Sequence, residues 1–231
     1  MPAGKLNRYL DAEHAEQVVA VALAAAAILT AWSGFQATKW SGVQANSYAS
    51  AGAARTESVR FDQISGRQTQ IDVATFLAWT EAVAVELEAG LISLEDIGPG
   101  YEPAPGLRST FLANRLREEF RPSFETWLDA DPLRSPSAPP TPFDGELYRL
   151  AAQDESTRLQ GEAEQLAQQS RDANQTADNY LLTTVLFGGV PFFAGISKSF
   201  RSEGPRWVVV GLALIVLIAA GVVILRFPIQ L

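Results

Sequence analysis

The chain has no cysteine and a single histidine, His14, in 231 residues. The first absence removes disulfides, thiolate nucleophiles and cysteine-bound zinc or iron–sulfur centres. The second leaves no pair of imidazoles for a metal or a proton relay, and His14 itself stands in an acidic lead-in with Asp11, Glu13 and Glu16. Charge is scarce too, at 19% of residues, and it leans acidic: 18 Lys and Arg against 26 Asp and Glu, net −8. That balance argues against nucleic acid, whose phosphates call for a basic surface. No glycine-rich phosphate loop follows a strand pattern, and no strand is expected at all.

What the chain does have is apolar sequence, 47% of residues, gathered into blocks. Residues 18–35 read VVAVALAAAAILTAWSGF without a charge. At 1.5 Å per residue such a helix is about 27 Å long, enough to cross a hydrocarbon layer. A cleaved signal sequence is the competing reading, but the acids ahead of it and the uninterrupted helical pattern after it favour a retained anchor. The second block is residues 181–197, LLTTVLFGGVPFFAGIS, and the third lies within residues 207–226, WVVVGLALIVLIAAGVVILR. Residues 198–206, KSFRSEGPR, join them as a short polar turn, so the two form a hairpin. The three blocks contain no Asp, Glu, Lys or Arg before the closing Arg226, which counts against a proton- or ion-coupled transporter. Lys5, Arg8, Lys198, Arg201 and Arg206 fall on one side of the spans, and Lys39, Arg55 and Arg226 on the other. The positive-inside tendency then places the lead-in, residues 1–17, and the short turn in the cytoplasm, with residues 36–180 outside.

That long insert carries 12 basic and 22 acidic residues, net −10. Two proline-rich stretches, 96–106 and 129–145, break it into loops. Between them Leu112, Leu116, Phe120, Phe124 and Leu128 recur every four residues, an amphipathic piece that Pro122 should kink or split. On the outgoing side Ile64, Ile71, Ala78, Val85 and Ile92 recur every seven, and on the return Ala152, Leu159, Leu166, Ala173 and Tyr180 do the same. Ser156, Ala163, Ser170 and Ala177 fill the alternate return positions. The spacing predicts a coiled-coil seam with small residues, with the outgoing arm bent, broken near Ser65–Gly66 or folded back. The fold expected is all-α: an integral membrane protein of three transmembrane helices with a long coiled-coil-like helical insert.

The clearest local motif is an eight-residue repeat, Trp32-Ser33-Gly34-Phe35-Gln36-Ala37 followed by Trp40-Ser41-Gly42-Val43-Gln44-Ala45. Eight residues advance a helix by about 80° beyond two turns, so the copies do not quite stack. Thr30, Ser33, Gly34, Gln36, Thr38, Ser41 and Gln44 are the candidate helix-packing or pore-lining residues, packing being preferred. Gly188, Gly189 and Pro191 form a candidate kink in the second span. Glu81, Glu88 and Glu95, and the adjacent Glu118 and Glu119, read as solvated faces. No catalytic residue, cofactor or metal ligand is assigned.

The W-S-G-x-Q-A segment, the small-residue arm after it and Phe192-Phe193-Ala194-Gly195-Ile196 resemble an uncharacterised bacterial family of three-span inner-membrane proteins with a helical insert. The resemblance covers the membrane regions and leaves out the proline-rich tip. It implies a multi-pass protein of the bacterial inner membrane and carries no activity. The function expected is structural or interactive: a homo-oligomer in the lipid bilayer that presents a helical stalk to itself or to an envelope protein. The alternative is an oligomeric, cation-favouring channel lined by the first span, with the acidic insert at its mouth.

Overall fold

The computed structural model describes residues 3–102, 104–144, 146–200 and 202–230, without the side chains of 3–13, 15 and 203. Lys5, Arg8, Asp11, Glu13 and Arg201, used above for orientation and for the lead-in, therefore lie outside the described side chains. Among the described residues there are five α-helices and no strand: α1 (Ala3–Glu88), α2 (Arg108–Ala113), α3 (Arg121–Asp129), α4 (Ala151–Ser197) and α5 (Glu203–Ile224). Three of them, α1, α4 and α5, are long and apolar enough to cross a membrane. The described chain is thus all-helical, and its three long apolar helices suggest a multi-pass membrane protein. It divides into two compact units, Met1–Ala51 with Glu164–Leu231, and Gly52–Ala163.

The first unit is a three-helix bundle built on small side chains. Val19, Ala194 and Val210 pack at one end. Ala22, Ala26, Val190 and Ala213 meet in the middle. Tyr180, Phe187, Ala220 and Ile224 close the other end. These layers set α1 antiparallel to α4 and parallel to α5. Alanine at the contacts lets helix axes approach closely, which in lipid replaces the missing hydrophobic drive with van der Waals contact. The 22 residues of α5 span about 33 Å, a full hydrocarbon thickness. Helix α4 runs unbroken through Pro191, which is exposed together with Gly188, while Val190 between them is fully buried.

The second unit is an aromatic core wrapped by short helices and loops. Helix α1 does not break at Ser65–Gly66; it continues to Glu88 and ends in a left-handed cap. Gly90 adopts φ 66°, and the Leu91 and Gly90 amides return to the Glu86 and Leu87 carbonyls. A residue with a Cβ would be strained there, so the glycine sets the stop. Ile92, assigned above to the helical seam, consequently packs on the core from the loop.

Within the chain, α1 packs on a different stripe from the apolar heptad series. Ile71 and Val85 are 55% and 59% exposed, and the residues buried at seven-residue spacing on α1 are Ala51, Ser58, Ser65, Asp72, Trp79 and Glu86. That set is one position on, or about 100° around the helix. On α4 the buried residues do include Ala152, Ser156, Leu159, Ala163, Ser170, Ala173, Ala177 and Tyr180. Within the second unit the two helices meet through hydroxyls: Ser58 Oγ donates to Ser156 O at 2.9 Å and Ser156 Oγ to Ser58 O at 3.0 Å.

The four-residue apolar series faces the core of this unit, with Phe120, Phe124 and Leu128 at most 3% exposed and Leu112 partly buried. Pro122 does split the piece, by sitting in the first turn of α3, where its missing N–H costs nothing. Trp79 meets Phe124 edge-on at 4.9 Å, and Phe120 stacks on Phe143 at 5.0 Å. The second proline-rich loop is pinned by two donors, Ser123 Oγ to Pro142 O and Trp127 Nε1 to Pro139 O, both at 2.9 Å. Asp131, at φ 56°, closes α3 in the left-handed role usually given to glycine.

This core makes a stability prediction. Phe120→Ala should destabilise the second unit by about 3–5 kcal/mol, the cost of a buried aromatic cavity. Phe111→Ala, at a 54% exposed position, should stay within about 0.5 kcal/mol. Thermal melts followed by near-ultraviolet circular dichroism in detergent would distinguish the two.

Candidate functional site

The sequence-derived residues on α1 separate into two groups. Ser33 and Gln36 are fully buried. Ser33 Oγ lies 3.2 Å from Thr183 Oγ1 on α4, and Thr183 donates to Tyr180 O at 2.7 Å. Thr30 is half-buried and donates to Ala26 O at 2.7 Å. Thr38 and Ser41 are exposed, and each returns its hydroxyl to its own helix, at Gly34 O and Ala37 O. Gln44 is half-buried, and its backbone carbonyl takes the Ser170 hydroxyl at 3.0 Å. At Gly34, Gly188 and Gly189 an added Cβ would meet nothing within 4 Å, so no close helix contact inside the chain depends on them.

Gln36 has the most specific geometry. After α5 the chain turns through Arg226 and Phe227 and continues, non-helical, to Gln230. Gln36 meets this segment with both ends of its amide: Nε2 donates to Gln230 O and Oε1 accepts from Gln230 N, each at 3.0 Å. One turn on, Trp40 Nε1 donates to Pro228 O at 3.0 Å. Tyr180 O–H donates to the same carbonyl at 3.1 Å, and its ring meets Phe227 edge-on at 5.2 Å. A non-helical backbone beside an apolar bundle calls for partners for its amides and carbonyls, and these three side chains serve the Pro228 carbonyl and both backbone groups of Gln230. The segment is latched to α1 and α4.

The second unit holds a charged cluster that the sequence reading did not single out. Asp72, 1% exposed, receives a forked pair from Arg117, Nε to Oδ1 at 2.9 Å and Nη2 to Oδ2 at 3.1 Å. Tyr148 O–H donates to Asp72 Oδ2 at 2.7 Å. Arg117 also reaches Glu119 at 3.0 Å, and Glu119 accepts the Ala151 amide at 3.3 Å. Glu119 is therefore part of this network, whereas Glu118, Glu81, Glu88 and Glu95 are exposed. Glu86 is buried as well, accepting the Ser109 amide at 3.0 Å. The signal in the sequence was the seven-residue series Ser58, Ser65, Asp72, Trp79, Glu86, too polar to stand out beside Ile64, Ile71 and Val85.

Hydrogen bonding to Asp72 holds the Arg117 guanidinium well above its ordinary value, so it stays charged at any working pH. Burial pushes the Tyr148 phenol up from 10.0 to about 12, and its bond to the Asp72 carboxylate adds to the rise. With all of its strong donors committed to one another, the cluster ties α1, the α2–α3 turn and the start of α4 together within the unit. Among the described residues no three His, Cys, Asp or Glu side chains gather as metal ligands would.

Two tests follow from these geometries. Gln36→Leu removes two hydrogen bonds of about 1 kcal/mol each, so amide exchange at Gln230 should rise about 30-fold, while Thr38→Leu should leave it unchanged. The raised Tyr148 phenol stabilises the folded unit below its unfolded value and loses that contribution as the pH climbs through the folded one. Melting temperature should therefore fall between pH 10.0 and about 12, and Tyr148→Phe should remove that share of the fall.

No protein-family model matches the chain, and no curated protein or solved structure matches it either.

Proposed function

We propose that the chain is a homo-oligomeric, non-catalytic protein of the bacterial inner membrane whose insert serves as a structural or partner-binding stalk. The observation that carries this reading is the stripe Ile64, Ile71, Ala78 and Val85. Its seven-residue spacing is that of a helix seam, yet the chain packs on the neighbouring stripe and leaves Ile71 and Val85 more than half exposed. A second copy offers the same stripe, and a coiled-coil-like contact between copies would bury it. Removing the remaining exposed part of each side chain is worth about 1 kcal/mol per residue per copy, a useful but modest contribution. Exposed small residues of the spans, Gly188 and Gly195 among them, are further surfaces where bundles can approach. Three helices long and apolar enough to cross a membrane support the membrane location, and the basic residues beside the spans favour residues 36–180 outside with the short turn in the cytoplasm.

A pore lined by α1 is the competing function. Gln36 and Ser33 are already engaged inside the chain, which leaves Thr30, Thr38, Ser41, Gln44 and the net −10 insert to support it. A pore needs a closed ring of copies, because three spans are too few to enclose one.

Subunit count in nanodiscs, by native mass or light scattering, tests the proposal. An assembly of copies that the double variant Ile71→Glu, Val85→Glu dissolves to monomers is the expected result. A monomer at all concentrations would overturn it. A ring that passes cations, with flux altered by Thr38→Leu, would move the pore to first place.

A further inference from the structure

At the end of the membrane bundle nearest the α4–α5 turn there is a cavity of about 340 Å³. Its floor is apolar, made by Val19 and Leu23 on α1, and its rim is polar, made by Ser197, Lys198, Arg206 and Glu16. Among the described lining residues two cations stand against one carboxylate. Glu16 does not neutralise Arg206 well: their closest approach, Nη2 to Oε1, is 3.6 Å, and the Glu16 side chain is 70% exposed while that of Arg206 is 19% exposed. The Arg206 Nε is buried and has no hydrogen-bond partner. A guanidinium drawn out of water with a donor unused is costly unless an acceptor is supplied.

The position of the cavity says what that acceptor is. Lys198 follows directly on α4 and Arg206 lies in the first turns of α5, where two membrane helices reach the edge of the apolar layer. Here the abundant acceptor is the phosphate of a lipid headgroup, and acyl chains are on hand for the apolar floor. Cationic side chains at such a level favour lipids with a net negative head over zwitterionic ones. We propose that this cavity seats the phosphate of an anionic phospholipid, with Arg206 as its forked donor, Lys198 as a second cation and Val19 and Leu23 against the glycerol and upper acyl chain. Arginine suits the role because its planar donors match phosphate oxygens.

The chemistry recognised is a phosphate, and an inorganic ion would offer it too, so the test has two arms. The first reconstitutes the full chain in nanodiscs of phosphatidylcholine doped with phosphatidylglycerol and counts retained lipid by native mass spectrometry. Preferential retention of phosphatidylglycerol is expected, reduced by about 10-fold or more in Arg206→Gln, the loss of a charge-assisted hydrogen bond. Arg206→Lys should lose part of it, and Lys198→Gln, at an exposed position less able to disturb packing, should weaken it as well. Equal retention of the two lipids, or unchanged retention in both glutamine variants, would overturn the proposal. The second arm titrates inorganic phosphate and short-chain phosphatidylglycerol into detergent-solubilised protein and its Leu23→Ser variant. A lipid site binds the phospholipid more tightly and loses that advantage in Leu23→Ser. Inorganic phosphate binding as tightly, with no effect of Leu23→Ser, would overturn the lipid assignment.

Discussion

The pairing of α1 with α4 is the contact on which the other parts of the chain depend. It recurs in both units, and in both it is made by small or hydroxyl-bearing side chains: Ala26 and Ser33 against Val190 and Thr183 in one, Ser58 against Ser156 in the other. A seam of this kind brings the helix backbones close enough for a serine on each to donate to a carbonyl on its partner. Such contacts bury little hydrophobic area, so their strength lies in dispersion and satisfied polar groups. In the first unit the layered Ala, Val and Phe contacts of the bundle add to it, and in the second the aromatic core does.

The charged cluster sits where those two kinds of packing join within the second unit. Asp72 occupies a seam position on α1, and a carboxylate at 1% exposure can remain only if its oxygens are fully engaged. Arg117 and Tyr148 engage them, and these come from the α2–α3 turn and from the approach to α4. The pair adds little net stability over an apolar alternative, since desolvation offsets much of the attraction. What it supplies is a directional tie: the forked pair and the Tyr148 bond fix the α2–α3 turn and the approach to α4 on one position of α1. Removing one partner would leave a buried charge, which is why such networks resist piecemeal change.

Much of this architecture was legible in the sequence because its signals are strong and local. A run of uncharged residues long enough to cross a membrane has few other uses, and residues 207–226 have little choice. The loops were readable from proline, and the four-residue series Leu112 to Leu128 from periodicity, although a turn interrupts it. The stripe that packs inside the chain on α1 was not the one that apolarity marks. Ile64, Ile71 and Val85 outweigh Ser58, Ser65 and Asp72 on any hydropathy scale, yet the polar set is inside, held by hydrogen bonds that hydropathy does not count. The helix stop at Glu88 was visible in principle through Gly90, one residue beyond the C-cap. The latch was not visible at all: Gln36 and Gln230 are 194 positions apart, and nothing local to either says they meet.

The eight-residue repeat shows how a motif can be conspicuous in sequence and unequal in structure. An advance of about 80° turns the second copy away from the contacts of the first. Ser33 and Gln36 are accordingly buried, while Ser41 is exposed and Gln44 half-buried. The tryptophans reverse that order, Trp32 at 38% exposure and Trp40 bonded to Pro228. Gln36 and Trp40 thus come from different copies of the repeat, yet both serve the same neighbour, the non-helical segment after α5. A residue pair four apart lies on one helix face, which is what capturing an extended backbone from a helix requires. The repeat is best understood, then, through the spacing it creates across its boundary, Gln36 to Trp40, and less through the likeness of its halves. The second copy keeps its small residues on an open face, where nothing within the chain covers Gly42.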